Sequence, residues 1–396
     1  MKPVEIKPEI FWVGGIDWNL RNFHGYLTPR GSTYNAYLIV DEKIVLVDTV
    51  KHYLFEEMLS RIKEVVDPSR IDYIVSNHVE MDHSGSLTKI LKIASEAKVI
   101  TSPHGEKGLS RHFKEEWDFK VVKSGDSLSV GKRTLQFFLT PMVHWPDSMA
   151  TYVPEEKLLL PNDAFGQHIA TAKRFDDQLG WDIVYEEAAK YYANIVLPHG
   201  EQVKKALETL SALNIEMIAP SHGVIWRSYL PKIFEAYQKW AKNLSENKAL
   251  IVYDTMWGST EKIAYALRDG MEKVEIPVTM RNLKTSDISD VMTDLLLSRG
   301  ILIGSPTLNN GMLPTVGAFL TYLEGLCPKK RIGFVFGSYG WGGQAVKKIA
   351  AVLESLKWEM PLESINFQYV PDEEELEKTI KIGEEFGNFL KKEVLS

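Results

Sequence analysis

The chain has almost no thiol chemistry available to it. Cys327 is its one cysteine among 396 residues. A lone thiol closes no intrachain disulfide and cannot supply a four-cysteine iron–sulfur or rubredoxin-type iron site. Long apolar runs are also missing. None approaches the ~18–20 residues that span a bilayer, and Met1-Lys2-Pro3-Val4-Glu5-Ile6-Lys7 has no apolar signal core. A cytoplasmic protein that enters no membrane is expected. Positive charge is not in excess: 46 Lys and Arg stand against 53 Asp and Glu, a net charge of -7. Nothing therefore points to nucleic acid or an anionic membrane as partner.

What remains is an ordinary globular composition, 44% hydrophobic and 25% charged, in a length that suits two domains. The boundary is expected at Asn243-Leu244-Ser245-Glu246-Asn247-Lys248. It follows a helix over Leu230 to Lys242 and precedes the apolar strand Ala249 to Tyr253. Residues 1–247 read as short strands broken by turn residues, with helices such as Leu54 to Val65 and Gln202 to Leu213 among them, a mixed α/β domain. Residues 248–396 alternate strand and helix. Ala249 to Tyr253, Ile301 to Gly304 and Ile332 to Phe336 are strands, and Ile263, Ala266, Leu267, Gly270 and Met271 repeat at helical spacing. That alternation implies a doubly wound parallel sheet.

The densest cluster of metal-type donors is His78-Val79-Glu80-Met81-Asp82-His83, directly after the strand Ile71 to Val75. Three later strands also end near a donor: Leu135 to Thr140 before His144, Lys157 to Leu160 before Asp163, and Ile215 to Ala219 before His222. Strand ends converge on one sheet edge, so these donors can meet. Four histidines and three carboxylates are too many for one tetrahedral ion and suit a pair sharing a carboxylate. A donor set of nitrogen and oxygen without sulfur narrows which metal the site would take. Taken singly, Asp163 is more often a turn residue, and His-Gly at a turn is usually only a turn. His104 and His199 are assigned to that bland reading.

The second half offers three loops at strand ends. Thr255-Met256-Trp257-Gly258-Ser259-Thr260 opens a helix, where hydroxyls and backbone N–H groups receive a phosphate. Without a lysine or a G-x-G-x-x-G pattern in it, a phosphate monoester fits better than a nucleoside triphosphate or a dinucleotide. Ser305-Pro306-Thr307-Leu308-Asn309 and Ser338-Tyr339-Gly340-Trp341-Gly342 follow the next two strands. Ligands of open α/β sheets bind at such ends, and Trp257, Tyr339 and Trp341 offer faces to a flat ring.

The first pattern resembles the metallo-β-lactamase-like fold, with Glu80 where its hydrolases carry a second histidine. The three loops resemble flavodoxin. In this order the two look like the flavodiiron protein family, in its simplest class without a fused rubredoxin, and Arg21 to Tyr26 and Arg30 to Asn35 are family-like segments. The resemblance implies an αββα sandwich over residues 1–247 and a flavodoxin-like parallel sheet over 248–396. It implies two non-haem irons, one held by His78, Glu80 and His144, the other by Asp82, His83 and His222, with Asp163 bridging. His83 is the ligand whose contact varies within the family. FMN would lie on the three loops, with Thr255, Ser259 and Thr260 at its phosphate. His24, Tyr26, Tyr191 and Tyr192 are candidates for the surrounding layer. The implied activity is reduction of O2 to water or NO to N2O, with electrons from a rubredoxin-type donor, in a head-to-tail homodimer or a dimer of dimers. Two other readings stay open: a dinuclear zinc hydrolase of the glyoxalase II or lactamase type fused to an electron carrier, and a non-catalytic flavoprotein with a vestigial first domain.

Overall fold

The computed structural model describes residues 1–392. The chain divides into two compact units, one formed by Met1–Tyr192 with His199–Gln238, the other by Ala193–Pro198 with the chain from Lys239 onward. The break thus falls nine or so residues ahead of the sequence-based boundary. The strand expected from Ala249 already begins at Glu246, in Glu246–Tyr253, because the polar start of that strand carries no apolar signal.

The first unit holds a seven-stranded and a five-stranded sheet. Ile44–Val47 shows why they stack. Val45 and Val47 join a buried cluster with Leu135, Phe137, Leu158 and Leu160 of the other sheet. Ile44 and Leu46 point the opposite way, toward Met58, Leu59 and Ile62 of the helix Phe55–Lys63. The period-two alternation of a strand buried on both faces places one apolar set between the sheets and one under helices. Helix Gly200–Ser211 buries Val203, Leu207 and Leu210, a helical stripe. The expected sandwich is therefore present.

Strand direction fixes where the site forms. Thr134–Leu139 runs antiparallel to Met149–Val153, which runs antiparallel to Leu158–Leu160, which is parallel to Met217–Ile218. Three strands consequently release the chain at one edge of the five-stranded sheet. In the seven-stranded sheet Ile71–Val75 lies parallel to Ile44–Val47 and Lys98–Thr101. Its end is tied to that edge where the Met149 N–H donates to the Asn77 carbonyl at 3.0 Å.

In the second unit a five-stranded sheet is parallel throughout, with chain order 2-1-3-4-5 from edge to edge. Ala249, Ile251 and Tyr253 share a core with Ile263, Leu267, Met271 and Phe386 of flanking helices. The strands Ser298–Pro306 and Ile332–Tyr339 run farther than the sequence indicates, pairing Ser305 with Gly337 and Pro306 with Ser338. Small polar residues continue the ladder there without an apolar signature. The two edge strands, Val278–Asn282 and Ile365–Gln368, are only half-buried along most of their length, which is why periodicity passes over them.

Candidate metal centre and ligand cleft

The donor-rich loop is held by its own backbone. After Ile71–Val75, the buried Asp48 carboxylate accepts from the Asn77 N–H at 2.8 Å and its side-chain amide at 3.2 Å. Glu80 then caps the single-turn helix Met81–Ser84, and the His83 N–H donates to the Glu80 carbonyl at 2.9 Å. That reversal turns Asp82 and His83 back toward the strand end. Gly223, just past His222, sits at φ 81°, and a Cβ there would meet Gln167 at 2.2 Å. Glycine alone permits the turn that aims His222.

All seven predicted donors meet, in two groups: His78, Glu80, His144 and Asp163, and Asp82, His83 and His222. Asp163 joins them. Its Oδ2 lies 3.1 Å from His144 Nε2 and 3.5 Å from His78 Nε2, while its Oδ1 lies 3.0 Å from His83 Nε2 and 3.3 Å from His222 Nε2. Glu80 Oε2 is 3.4 Å from both His78 and His144, and Asp82 lies 3.4 Å from His83 and 3.3 Å from His222. Donors about 2.1 Å from a common ion are about 3.0–3.4 Å from one another, so these spacings are those of ligands around a cation. His83, the least secure of the seven on sequence, points inward and is buried.

Several buried donor atoms have no hydrogen-bond partner: His78 Nε2, both Asp82 oxygens, both His83 nitrogens and Asp163 Oδ1. Polar atoms are seldom left so without compensation in a folded core; bound cations would satisfy them. The electrostatics agree. Burial opposes charge on every group, yet the imidazoles around Asp163 hold its carboxyl well below the usual carboxylate range. Burial would lower His144 and His222, but bonds to Asp163, with Glu80 or Asp82, raise them to about 9 and about 10. The cluster attracts positive charge, which protons or metal ions can supply.

Two of the outward nitrogens, those of His78 and His222, are anchored. His78 Nδ1 is 2.8 Å from Asp147 Oδ2, and His222 Nδ1 is 2.8 Å from the Thr33 carbonyl. Both bonds leave Nε2 for the site. Sequence reasoning missed Asp147. It stands just ahead of Met149–Val153, the strand that enters where its neighbours leave, and the entering ends of antiparallel neighbours went unread. It also missed His168, a fully buried imidazole whose Nδ1 is 2.8 Å from Ser32 Oγ and whose ring lies 4.8 Å from that of His222. Burial and the neighbouring His222 press its pKa well below the ordinary value. Of the surrounding-layer candidates, His24 is exposed and reaches Glu80 Oε1 at 3.2 Å. Tyr26 and Tyr191 pack on His168, and Tyr191 also faces His222. Tyr192 instead packs on Tyr237. His199 caps the helix Gly200–Ser211 and His104 sits exposed in the helix Pro103–Phe113; neither joins the cluster.

The second unit carries an open cleft of about 650 Å³, within the range of small-molecule sites. Thr255, Met256, Trp257, Ser259, Pro306, Thr307, Leu308, Asn309, Ser338, Tyr339, Gly340, Trp341 and Gly342 line it. Trp257 and Trp341 are 94% and 92% exposed. Gly258, at φ 86°, caps the helix Ser259–Lys273, turning that helix's N-terminal amides into the cleft mouth. Thr260 and Ser305 do not line the cleft. The Thr260 hydroxyl lies 3.0 Å from that of Ser338, and the Ser305 hydroxyl accepts from the Leu313 N–H at 3.0 Å, so both brace the loops from behind. Asn310, Gln344 and Tyr369 line it in addition. Tyr369 follows the half-buried edge strand Ile365–Gln368, which was not read from the sequence.

Comparison with known proteins matches both halves. Residues 33–223 fit the family model described as ODP family beta lactamase, and residues 251–383 that described as flavodoxin. A nitric oxide reductase of Moorella thermoacetica is 47% identical, over 96% of this chain and 97% of its own. The rubredoxin-oxygen oxidoreductase of Megalodesulfovibrio gigas is 41% identical, over 99% of each. The crystal structure of the flavodiiron protein from Giardia intestinalis superposes with a TM-score of 0.96 at 37% identity, covering 98% of this chain and 97% of that one. The donor cluster, the parallel sheet with its cleft and these full-length likenesses give one answer: the chain belongs to the flavodiiron protein family of oxidoreductases.

Proposed function

We propose that this chain reduces O2 to water, NO to N2O, or both, at a pair of non-haem irons, with electrons from a rubredoxin-type donor delivered through FMN. The carrying observation is Asp163, whose two oxygens address different donor groups. His78, Glu80 and His144 would hold one iron and Asp82, His83 and His222 the other, within residues 1–247. Residues 248–396 would hold FMN, its phosphate at Thr255, Ser259 and the amides opened by Gly258, its ring beside Trp257, Tyr339 and Trp341. A cytoplasmic, head-to-tail homodimer, alone or paired into a tetramer, completes the reading. Among the described residues no helix is long and apolar enough to cross a membrane.

Bound, the irons and flavin supply the redox chemistry: open coordination positions for the gas and storage for the electrons that O2 or NO takes up. The protein's own part is positional and electrostatic. Asp147 and the Thr33 carbonyl fix the tautomers of His78 and His222, so that each ring presents Nε2. Glu80, Asp82 and Asp163 bring three negative charges, which offset most of the charge of two divalent cations. Asp82, His83, Asp163 and His222 are buried to 2% exposure or less, which keeps bulk water from the pair. His24, exposed at the rim, touches the Glu80 carboxylate and so stands where solvent protons arrive.

Anaerobic metal and flavin quantification, followed by parallel O2 and NO turnover with reduced rubredoxin, tests the reading. Two irons and one FMN per chain with gas reduction are expected. Two zinc ions with thioester or lactam hydrolysis and no gas reduction would establish the hydrolase reading instead.

A further inference from the structure

The first unit contains a small, partly open apolar space outside the donor cluster. It lies between helix Gly200–Ser211 and the strand ends that carry His144 and Asp163. Val203, Ala206, Leu207 and Leu210 line it from the helix, at the i, i+3, i+4 and i+7 positions of one stripe. Val143 and Ala164 line it from the other side, each one peptide bond from a predicted iron ligand, His144 and Asp163.

Almost nothing in this wall can hold water. Of its side chains only Thr140 and Tyr237 carry a polar atom, and the Tyr237 hydroxyl already accepts from the Phe165 N–H at 2.6 Å. A cavity water needs two to four polar partners, whereas apolar cavities stay dry and take up apolar guests. The free room for the centre of a water-sized sphere is about 10 Å³, enough for one small guest. A packed core seldom leaves such a gap, and here it abuts the backbone of two ligand loops.

We propose that this chamber is a binding site for an apolar diatomic gas, O2 or NO, and the last station on its way to the metal pair. The inference rests on the reading of the chain as a gas reductase. Its physical basis is separate: a dry apolar space favours an uncharged, weakly hydrated diatomic over water and ions. Ala206 is half-exposed and forms the outer wall, so a larger side chain there fills the chamber without touching the ligands.

The test uses the metal- and flavin-loaded full chain. Crystals pressurised with krypton should show one noble-gas peak among Val143, Ala164, Val203 and Leu207. Ala206→Phe should abolish that peak and lower kcat/KM for the gas several-fold, with kcat at saturating gas and iron content unchanged. Ala206→Leu, a milder filling, should give an intermediate loss and guards against a folding failure of the larger variant. No krypton in the chamber overturns the proposal, as does an unchanged kcat/KM in both variants. If the wild-type enzyme turned over neither gas while krypton still bound, the reductase reading would fail and the cavity's role as a gas route with it.

Discussion

The two sites are built from opposite materials. The metal centre consists of ionisable side chains from four strand ends, buried and crowded within 3.0–3.5 Å of one another. The cleft consists of hydroxyls, backbone amides and rings, open to solvent, with two tryptophans above 90% exposure. A buried cluster of charges is intolerable until its counterions arrive, whereas a neutral open cleft costs little when empty. The first site should therefore respond sharply to single substitutions, to pH and to metal removal. The second should lose affinity gradually.

The largest expected effect is at Asp163. Asp163→Asn should reduce gas turnover to about a hundredth or less of wild type, since removing one charge serves neither donor group. FMN content should stay unchanged, as metal analysis and flavin absorbance will show. Loss of both cofactors together would break the comparison. Asp147→Asn comes next. It leaves the ligands in place but weakens the acceptor that orients His78, and about a 10–100-fold loss of metal affinity or activity is expected. A metal titration against a competing chelator reads it directly.

The pH response separates the sites further. His144 and His222 are raised to about 9 and about 10 by the carboxylates beside them. A raised histidine stabilises the fold fully below its unfolded value near 6.5, and that contribution is lost as pH climbs through the folded value. Metal-free protein should thus lose Tm between about pH 6.5 and pH 10, whereas loaded protein, whose ions replace those protons, should not. Calorimetry of both forms across that window decides, and parallel curves would refute the picture. The smallest effect is expected in the cleft. Gly258→Ala forces a side chain into the left-handed region, at about 1–2 kcal/mol, and should weaken FMN roughly tenfold while leaving iron content intact. Flavin fluorescence titration measures it.

The same contrast governs how much the sequence discloses. Seven ligand-type residues at four strand ends were legible because buried strands announce themselves through Ile, Val and Leu, and the donors follow directly. Asp147 was not, since it precedes a strand rather than following one and belongs to the site only through antiparallel pairing. His168 reaches the site by packing, with no spacing to betray it. In the cleft the loops were legible as loops, but Thr260 and Ser305 carry the expected hydroxyls and spend them on Ser338 and Leu313. Which side of a loop a hydroxyl faces depends on helix phase and strand length, and Ser305–Pro306 proved to be strand. Tyr369 escaped because its strand is a half-buried edge.

Each donor group draws on both sheets of the first unit. His78, Glu80, Asp82 and His83 follow a strand of the seven-stranded sheet, and His144, Asp163 and His222 follow strands of the five-stranded one. Every ion held there would be a clasp between two layers otherwise joined by apolar packing and a few hydrogen bonds such as that from Met149 to Asn77. In a chain with a single cysteine, no disulfide can fasten the sandwich at that edge. A bound metal pair would take over that mechanical duty, so chelation should loosen the two layers along that edge.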